Sequence, residues 1–287
     1  MAGWSQPAAL WESEILPARV RDYSPHWLDQ LGVEGAVAWV RLVPPKLSEE
    51  RPRARTPVRA TPIALVPRDQ LWAWRRFAVR PAVAPQLSSS AGRVREALER
   101  HGACFFGDLA DGAGLLRTQL ESALAELVAL GLVTSDSFAG LRSLLAPASQ
   151  RPGFAARGGR RRRAKVPGLA VAGRWSLLPE LPEPSREQRD EALAQIVDTL
   201  LLRHGVLFRA ALDAESGLPP WRELLYLLRR LEARGEIRGG RFVERFAGEQ
   251  FALPDAVGLL RRAPDPAPAR SGPAALSSGA GLVPPLH

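Results

Sequence analysis

His101-Gly102-Ala103-Cys104-Phe105-Phe106 and His204-Gly205-Val206-Leu207-Phe208 are one motif written twice, and what surrounds each copy decides the fold. Downstream of each stands a second glycine-led stretch, Gly131-Leu132-Val133 and Gly235-Glu236-Ile237. Seven residues beyond each of those glycines comes a phenylalanine, Phe138 and Phe242. Each unit closes on a short apolar segment, Arg174-Trp175-Ser176-Leu177-Leu178-Pro179 and Gln250-Phe251-Ala252-Leu253-Pro254. The spacing exceeds the roughly 20–50-residue periods of solenoids, so the chain repeats a module rather than a single hairpin.

The periods inside each copy give its elements. Ser88-Ser89-Ser90 supplies a helix N-cap region, because a serine oxygen can accept from the unpaired N–H groups of a first turn. Arg93 to Arg100 then carries Val94, Ala97 and Leu98 on one helical face, and Gly102 ends it. Ala103 to Phe106 reads as a strand and Gly107 to Asp111 as one more helical turn. From Leu116 to Leu130 the apolar positions Leu120, Ala123, Leu124 and Leu127 recur by threes and fours, the pattern of an amphipathic helix. Gly131 stops it before the strand Leu132 to Ser135; a long polar loop, Asp136 to Gly173, leads to the returning strand Arg174 to Leu178.

The third unit repeats this order: a helix over Arg186 to Arg203, a strand over Val206 to Phe208, and a long helix over Trp221 to Arg234. Trp221, Leu224, Leu225, Leu228 and Leu231 form that helix's apolar face, and Gly239-Gly240 is the expected turn of the following hairpin. Near the N-terminus Trp27, Leu28 and Leu31 end a helix of the same type, with strands at Gly35 to Val40 and Pro62 to Val66. No convincing opening helix or strand precedes them. The predicted class is α+β, mostly α: tandem winged-helix modules, each a helix-turn-helix with a β-hairpin wing. The expected organisation is a partial module over 1–75, a module with a long arginine-rich wing over 76–180, a module over 181–262, and a Pro/Gly/Ala/Ser-rich disordered or truncated tail over 263–287.

The 287 residues carry 39 basic and 30 acidic side chains, a formal charge of +9 that suits a polyanionic partner such as DNA. Only Lys46 and Lys165 are lysine, a bias a GC-rich genome would also produce, so clustering says more than composition. The densest cluster is Arg160, Arg161, Arg162, Arg163 and Lys165, in the long wing; a second runs from Arg51 to Arg59. The long helix of the third unit offers Arg222, Arg229, Arg230 and Arg234, with Arg238 just beyond. Its counterpart offers Arg117, Thr118, Gln119 and Ser122 but also Glu121 and Glu126, so it serves equally well to pack on a neighbour. Trp72 and Trp74, ahead of Arg75-Arg76, suit either base stacking or, more readily, a strand burying both in the core.

Much is excluded or unsupported. No apolar run reaches the about 18 residues a membrane span needs, and no signal-peptide pattern opens the chain. The single cysteine, Cys104, excludes a disulfide framework and a cysteine zinc site and reads as structural. There is no Gly-x-x-x-x-Gly-Lys-Ser/Thr phosphate loop, no metal constellation and no catalytic set. His101 and His204 sit at equivalent helix ends, where an imidazolium meets the helix dipole favourably. Asp190-Glu191-Ala192 lacks the preceding strand of a helicase acidic box. The expected location is the cytoplasm, at the nucleoid.

Several stretches resemble the large helicase-related (Lhr) family of DNA helicases in its C-terminal half. They are Trp11-Glu12-x-x-Ile15-Leu16-Pro17-Ala18-Arg19-Val20 with Tyr23 and Leu28-Asp29, and Gly131-Leu132-Val133-Thr134-Ser135-Asp136-Ser137-Phe138-x-x-Leu141-Arg142. Gly173 to Leu178, Arg241-Phe242-Val243-Glu244 and Gln250 to Pro254 extend the likeness over about residues 8 to 262. The resemblance implies a superfamily-2, ATP-dependent 3′-to-5′ DNA translocase linked to repair. Its C-terminal extension is a tandem winged-helix array ending in a β-barrel, associated in some members with uracil-DNA glycosylase activity. The helicase domains, and with them ATP and Mg²⁺, have no counterpart here, nor does the barrel, so the chain is expected to be a gene fragment or separately encoded piece.

The resulting expectation is a DNA-binding accessory region of an Lhr-type helicase involved in repair, gripping the backbone without sequence preference and holding no cofactor. Arg160 to Arg163, Lys165, Arg222, Arg229, Arg230 and Arg238 are its expected contacts. Its partners would be DNA, the helicase core or a second copy, and no membrane. The alternatives are a uracil-type DNA glycosylase and a protein–protein assembly module. For the glycosylase, the nearest match to a Gln-apolar-Gln/Asp element is Gln188-Arg189-Asp190, with arginine in the middle, so no catalytic residue is assigned.

Overall fold

The computed structural model describes residues 1–48, 57–78, 83–146 and 173–262. The chain opens with a two-residue strand β1 (Gln6–Pro7), a helical turn at Trp11–Ile15 and helix α1 (Pro25–Val33). Strands β2 (Val37–Val40) and β3 (Pro62–Pro67) and the short helix α2 (Leu71–Arg76) complete the first unit. The second runs α3 (Ser89–His101), β4 (Cys104–Phe105), α4 (Phe106–Ala113), α5 (Arg117–Leu130), β5 (Val133–Ser135), α6 (Phe138–Leu145) and β6 (Arg174–Leu177). The third runs α7 (Arg186–His204), β7 (Val206–Leu207), α8 (Arg209–Leu212), α9 (Trp221–Ala233), β8 (Arg238–Gly240), β9 (Gln250–Ala252) and α10 (Pro254–Arg262).

Three sheets share one topology, β1-β3-β2, β4-β6-β5 and β7-β9-β8, all antiparallel, with the first strand always paired to the last. This is the winged-helix arrangement three times over. Gln6 and Pro7 pair with Ile63 and Pro62, so the first unit does have the opening strand that sequence reading leaves out. Two residues containing a proline carry no alternation, which is why it escapes notice.

Local chemistry sets the boundaries. The Ser88 hydroxyl accepts from the Ala91 N–H at 3.2 Å to start α3, and Ser185 with Gln188 forms a reciprocal capping box on α7. Gly131 ends α5 at φ 73°, where a Cβ would also stand 3.3 Å from the Arg41 carbonyl.

The first unit's sheet is a shared wall. Because side chains alternate along a strand, Trp39, Ile63 and Leu65 face the second unit's core with Leu124, Leu127 and Trp175. Ala38, Val40, Ala64 and Val66 face the other way, into a core with Ile196, Leu200 and Leu228 of the third unit. One ribbon buried on both faces joins the second and third modules.

Four details correct the sequence reading. The segment after Asp136 is not a polar loop at first: α6 is buried almost throughout and packs on the first unit. Asp136 does close the base of that wing, accepting from the Arg174 N–H at 2.6 Å. Gly239-Gly240 lies in strand β8 rather than at the turn. Trp72 and Trp74 belong to helix α2, not to a strand; Trp74 is fully buried in the core shared with α7, beyond reach of a base, while Trp72 is only partly buried. Lastly, the closing segment that ends at Pro254 is followed by a helix, α10, which the sequence reading does not give within 181–262.

Candidate nucleic-acid interface

In a helix-turn-helix the long third helix carries the groove-facing side chains, and here α1, α5 and α9 hold that place. α5 has lost most of its free surface. Leu120, Ala123, Leu124, Leu127 and Val128 are buried in a core that its own module shares with Trp39, Ile63 and Leu65 of the first unit, and Leu130 is buried at the helix end. The Arg41 guanidinium caps its C-terminus, donating through Nη1 to the Ala129 carbonyl and through Nε to the Val43 carbonyl at 2.7 Å. That placement favours the negative end of the helix dipole, although burial pulls the Arg41 pKa down to about 10. The two acids of α5 are also in use: Glu121 accepts from Arg117 Nε at 3.0 Å, and Glu126 from the Ser88 N–H at 2.8 Å. Only Thr118, Gln119 and Ser122 remain as an exposed polar edge.

The motifs that carry the family resemblance meet in this joint. Arg142 on α6 donates to Glu12 at 2.5 and 2.7 Å and to Asp29 at 2.8 Å. The Tyr23 hydroxyl donates to Glu12 at 2.9 Å, and the Ser137 hydroxyl to Asp29 at 3.1 Å. The paired carboxylates raise the Arg142 pKa against the opposing effect of burial. Burial, then the Glu12 charge, push the Tyr23 phenol up as well. Trp39 adds an edge-on contact to Trp175, with ring centroids 6.1 Å apart. The cluster has the character of an adhesive between units rather than of a reaction centre.

α9 is open. Leu224, Leu227, Leu228 and Leu231 bury one side, while Arg222, Tyr226, Arg229 and Arg230 face solvent on the other. Of the residues expected to bind, Arg222, Arg230 and Arg238 carry no ion pair among the described residues. Arg229 differs: Glu249, from the wing between β8 and β9, grips it at 3.0 and 2.7 Å. That hydrogen-bonded pair raises the Arg229 pKa and lowers that of Glu249. Arg234 is paired with Glu236 at 2.7 Å. Arg160, Arg161, Arg162, Arg163 and Lys165 lie outside the described residues.

The wing hangs on Gln250. This buried amide accepts from the Phe242 and Val243 N–H groups at 2.8 and 2.7 Å and donates to the Val243 and Phe246 carbonyls. It thereby fixes the turn over residues 241–249 that presents Arg241, Arg245 and Glu249. Sequence reading gave Gln250 only as the start of the closing segment, and passed over Glu249 and Tyr226. Tyr226 had a signal, its placement four residues from both Arg222 and Arg230.

The other candidates have structural occupations. Gln188 caps α7, and Arg189 is held by Glu223 at 2.8 Å. His204 meets Glu215 at 2.8 Å beside Arg203, whereas His101 is exposed. Burial, then the Asp108 charge, push the Cys104 thiol up, which disfavours the thiolate. A cleft of about 430 Å³ opens where the units meet, lined by Pro44, Pro45, Leu47, Pro85, Leu130 and Leu181, with Arg41, Arg75 and Glu180 at its polar points. Arg75 is engaged with the Pro179 carbonyl at 2.6 Å. Among the described residues no helix is long and apolar enough to cross a membrane.

Comparison with known proteins fits this architecture. Two family models described as "Large helicase-related protein, winged-helix domain" match, the third such domain at residues 1–68 and the fourth at 186–272. The Lhr helicase/uracil glycosylase of Escherichia coli (strain K12) is 33% identical over 284 residues, covering 91% of this chain and 17% of the relative. The Lhr helicase/probable uracil glycosylase of Mycolicibacterium smegmatis (strain ATCC 700084 / mc(2)155) is 33% identical over 285 residues, with the same coverage. The chain thus spans about one sixth of the length of these curated relatives.

Proposed function

Because this chain belongs to the large helicase-related (Lhr) family, as its winged-helix region, we propose that it is a DNA-binding accessory element serving an ATP-dependent helicase in repair. It grips the sugar-phosphate backbone without reading sequence. The observation that carries this is the open face of α9, where Arg222 and Arg230, like Arg238 on strand β8, carry no ion pair among the described residues. Three such cations release counterions on meeting phosphates, which supplies sequence-independent affinity. The Arg160 to Arg163 run and Lys165 are proposed as further phosphate contacts by their charge alone, and the helicase core or a second copy of the chain provides others. ATP and Mg²⁺ are assigned to the family's helicase core. The first unit and α5 serve as the frame that holds the third unit in place.

A second reading follows from the names of the relatives, which include uracil glycosylase. In it, a base flipped from the strand would enter a pocket between units. One experiment addresses both. The purified chain is titrated against single- and double-stranded oligonucleotides over a range of salt, one strand carrying uracil and treated with hot alkali afterwards. Steeply salt-dependent binding without cleavage supports the backbone reading. Cleavage at uracil makes the chain a glycosylase, and absence of binding at low salt defeats both.

A further inference from the structure

Tyr226 is 64% exposed, in the middle of the open face of α9. A tyrosine ring left in water forgoes the apolar burial that usually places it in a core or an interface. Its hydroxyl has no hydrogen-bond partner among the described residues, so no hydrogen bond there accounts for its position. Its neighbours one helical turn away on either side are Arg222 and Arg230. The Arg230 guanidinium lies over the ring at 5.8 Å from its centroid, a contact that orients the ring while leaving most of it accessible. The wing carboxylate of Glu249 holds Arg229, not Arg222 or Arg230.

An aromatic face bracketed by unpaired cations is the arrangement that binds unpaired nucleotides: arginines hold successive phosphates while a base stacks on the ring. A duplex offers no base face to such a ring unless it is frayed or kinked. The first unit's helix also exposes an aromatic, Trp27, but its surroundings differ. Tyr23 packs edge-on against it, Glu34 ends the same helix, and Arg19 is turned towards Trp4. The interleaving of aromatic and arginine that sequence reading sought at Trp72 and Trp74 is found instead at Tyr226.

We infer that Tyr226 is a base-stacking residue, and that α9 takes a nucleic-acid strand with at least one unstacked base, Arg222 and Arg230 holding the flanking phosphates. This rests on the DNA-binding reading above. It makes the surface one for single strands, frayed ends or junctions in preference to intact duplex.

The test uses the full chain and fluorescence anisotropy with three labelled probes: an oligothymidine, an oligomer of equal length with abasic sugars throughout, and a duplex. Wild type is expected to bind oligothymidine about tenfold more tightly than the abasic strand, the lower part of the range for one stacked base. Tyr226→Ala removes that preference without changing the salt slope, because a ring releases no counterions. Tyr226→Trp keeps it. Since the side chain is exposed, thermal unfolding of both variants should match wild type, which separates a stacking loss from a folding defect. Equal losses on thymidine and abasic strands, or no base preference in wild type, overturn the stacking role while leaving backbone binding in force. Failure to bind any probe at low salt overturns both. Competition by polyglutamate as effective as by oligothymidine also overturns the inference and identifies α9 as a surface for acidic proteins.

Discussion

Helix α5 and helix α9 hold the same place in two copies of one module, yet α5 buries eight of its 14 residues and α9 four of its 13. The difference comes from what lies beside them. α5 packs on α3 and on the first unit's turn Val58–Ala60, shares a core with Trp39, Ile63 and Leu65 of that unit, and is capped by Arg41, so its C-terminal half became core. Among the described residues, α9 packs on α7 and β8 of its own unit and shares a core with one face of the first unit's sheet, and its outer side kept its arginines. A winged-helix module therefore does not by itself imply a DNA-reading helix. On the proposed reading, the copy left free of the joint is the one that meets DNA.

Removing a buried contact from α5 should have the largest effect on folding and none on recognition. Leu127→Ala is expected to cost about 2–5 kcal/mol of stability, the range for a leucine deleted from a packed core. Chemical denaturation measures the loss, while DNA affinity at low temperature should be unchanged. Arg142→Ala comes next: it leaves Glu12 and Asp29 without their shared cation. A fully buried pair broken in this way loses about 3–5 kcal/mol, and the partial exposure of this one, with side chains 15–21% accessible, puts the expectation lower, at about 2 kcal/mol. A measured loss near zero would mean that the joint is held by apolar contacts alone, without the ionic cluster.

The contrast between these helices was only partly legible in the sequence. Glycines 102, 131, 205 and 235 mark helix ends through a local backbone requirement, so they and the long amphipathic faces could be read directly. α6 was hidden although Ser137 caps it and Phe138, Leu141 and Leu144 share a face. Its proximity to the arginine-glycine stretch made the whole insertion look polar. The burial of Trp74 depends on α7, more than a hundred residues away in the chain, and no local pattern encodes that. Likewise the Gln250 latch and the Arg229–Glu249 pair join residues on opposite sides of a turn, where spacing gives no guide. The candidate surface was legible as a list of arginines, but not which of them are already engaged.

Glu249→Gln tests that last point and should have the smallest effect. Freeing Arg229 adds one cation to the α9 face, so the salt slope of DNA binding should steepen by about one. Low pH should act in the same direction. The Glu249 pKa is depressed by Arg229, so the pair persists above the ordinary glutamate range and is lost as pH falls through the lower folded value. Affinity in the variant should lack that acid-dependent gain. If the slope does not move, Arg229 either lies off the DNA path or already exchanges Glu249 for phosphate.

The measurement that bears most directly on the division of labour is the salt dependence of DNA binding for two variants side by side. One carries Arg222→Ala, Arg230→Ala and Arg238→Ala; the other carries Gln119→Ala and Ser122→Ala on the exposed edge of α5. The slope is expected to fall by about three in the first, one per lost phosphate contact, and to stay at the wild-type value in the second, with affinity unchanged. An unchanged slope in the first variant, or an equal loss of affinity in the second, would contradict the assignment of DNA contact to α9 and of a structural role to α5.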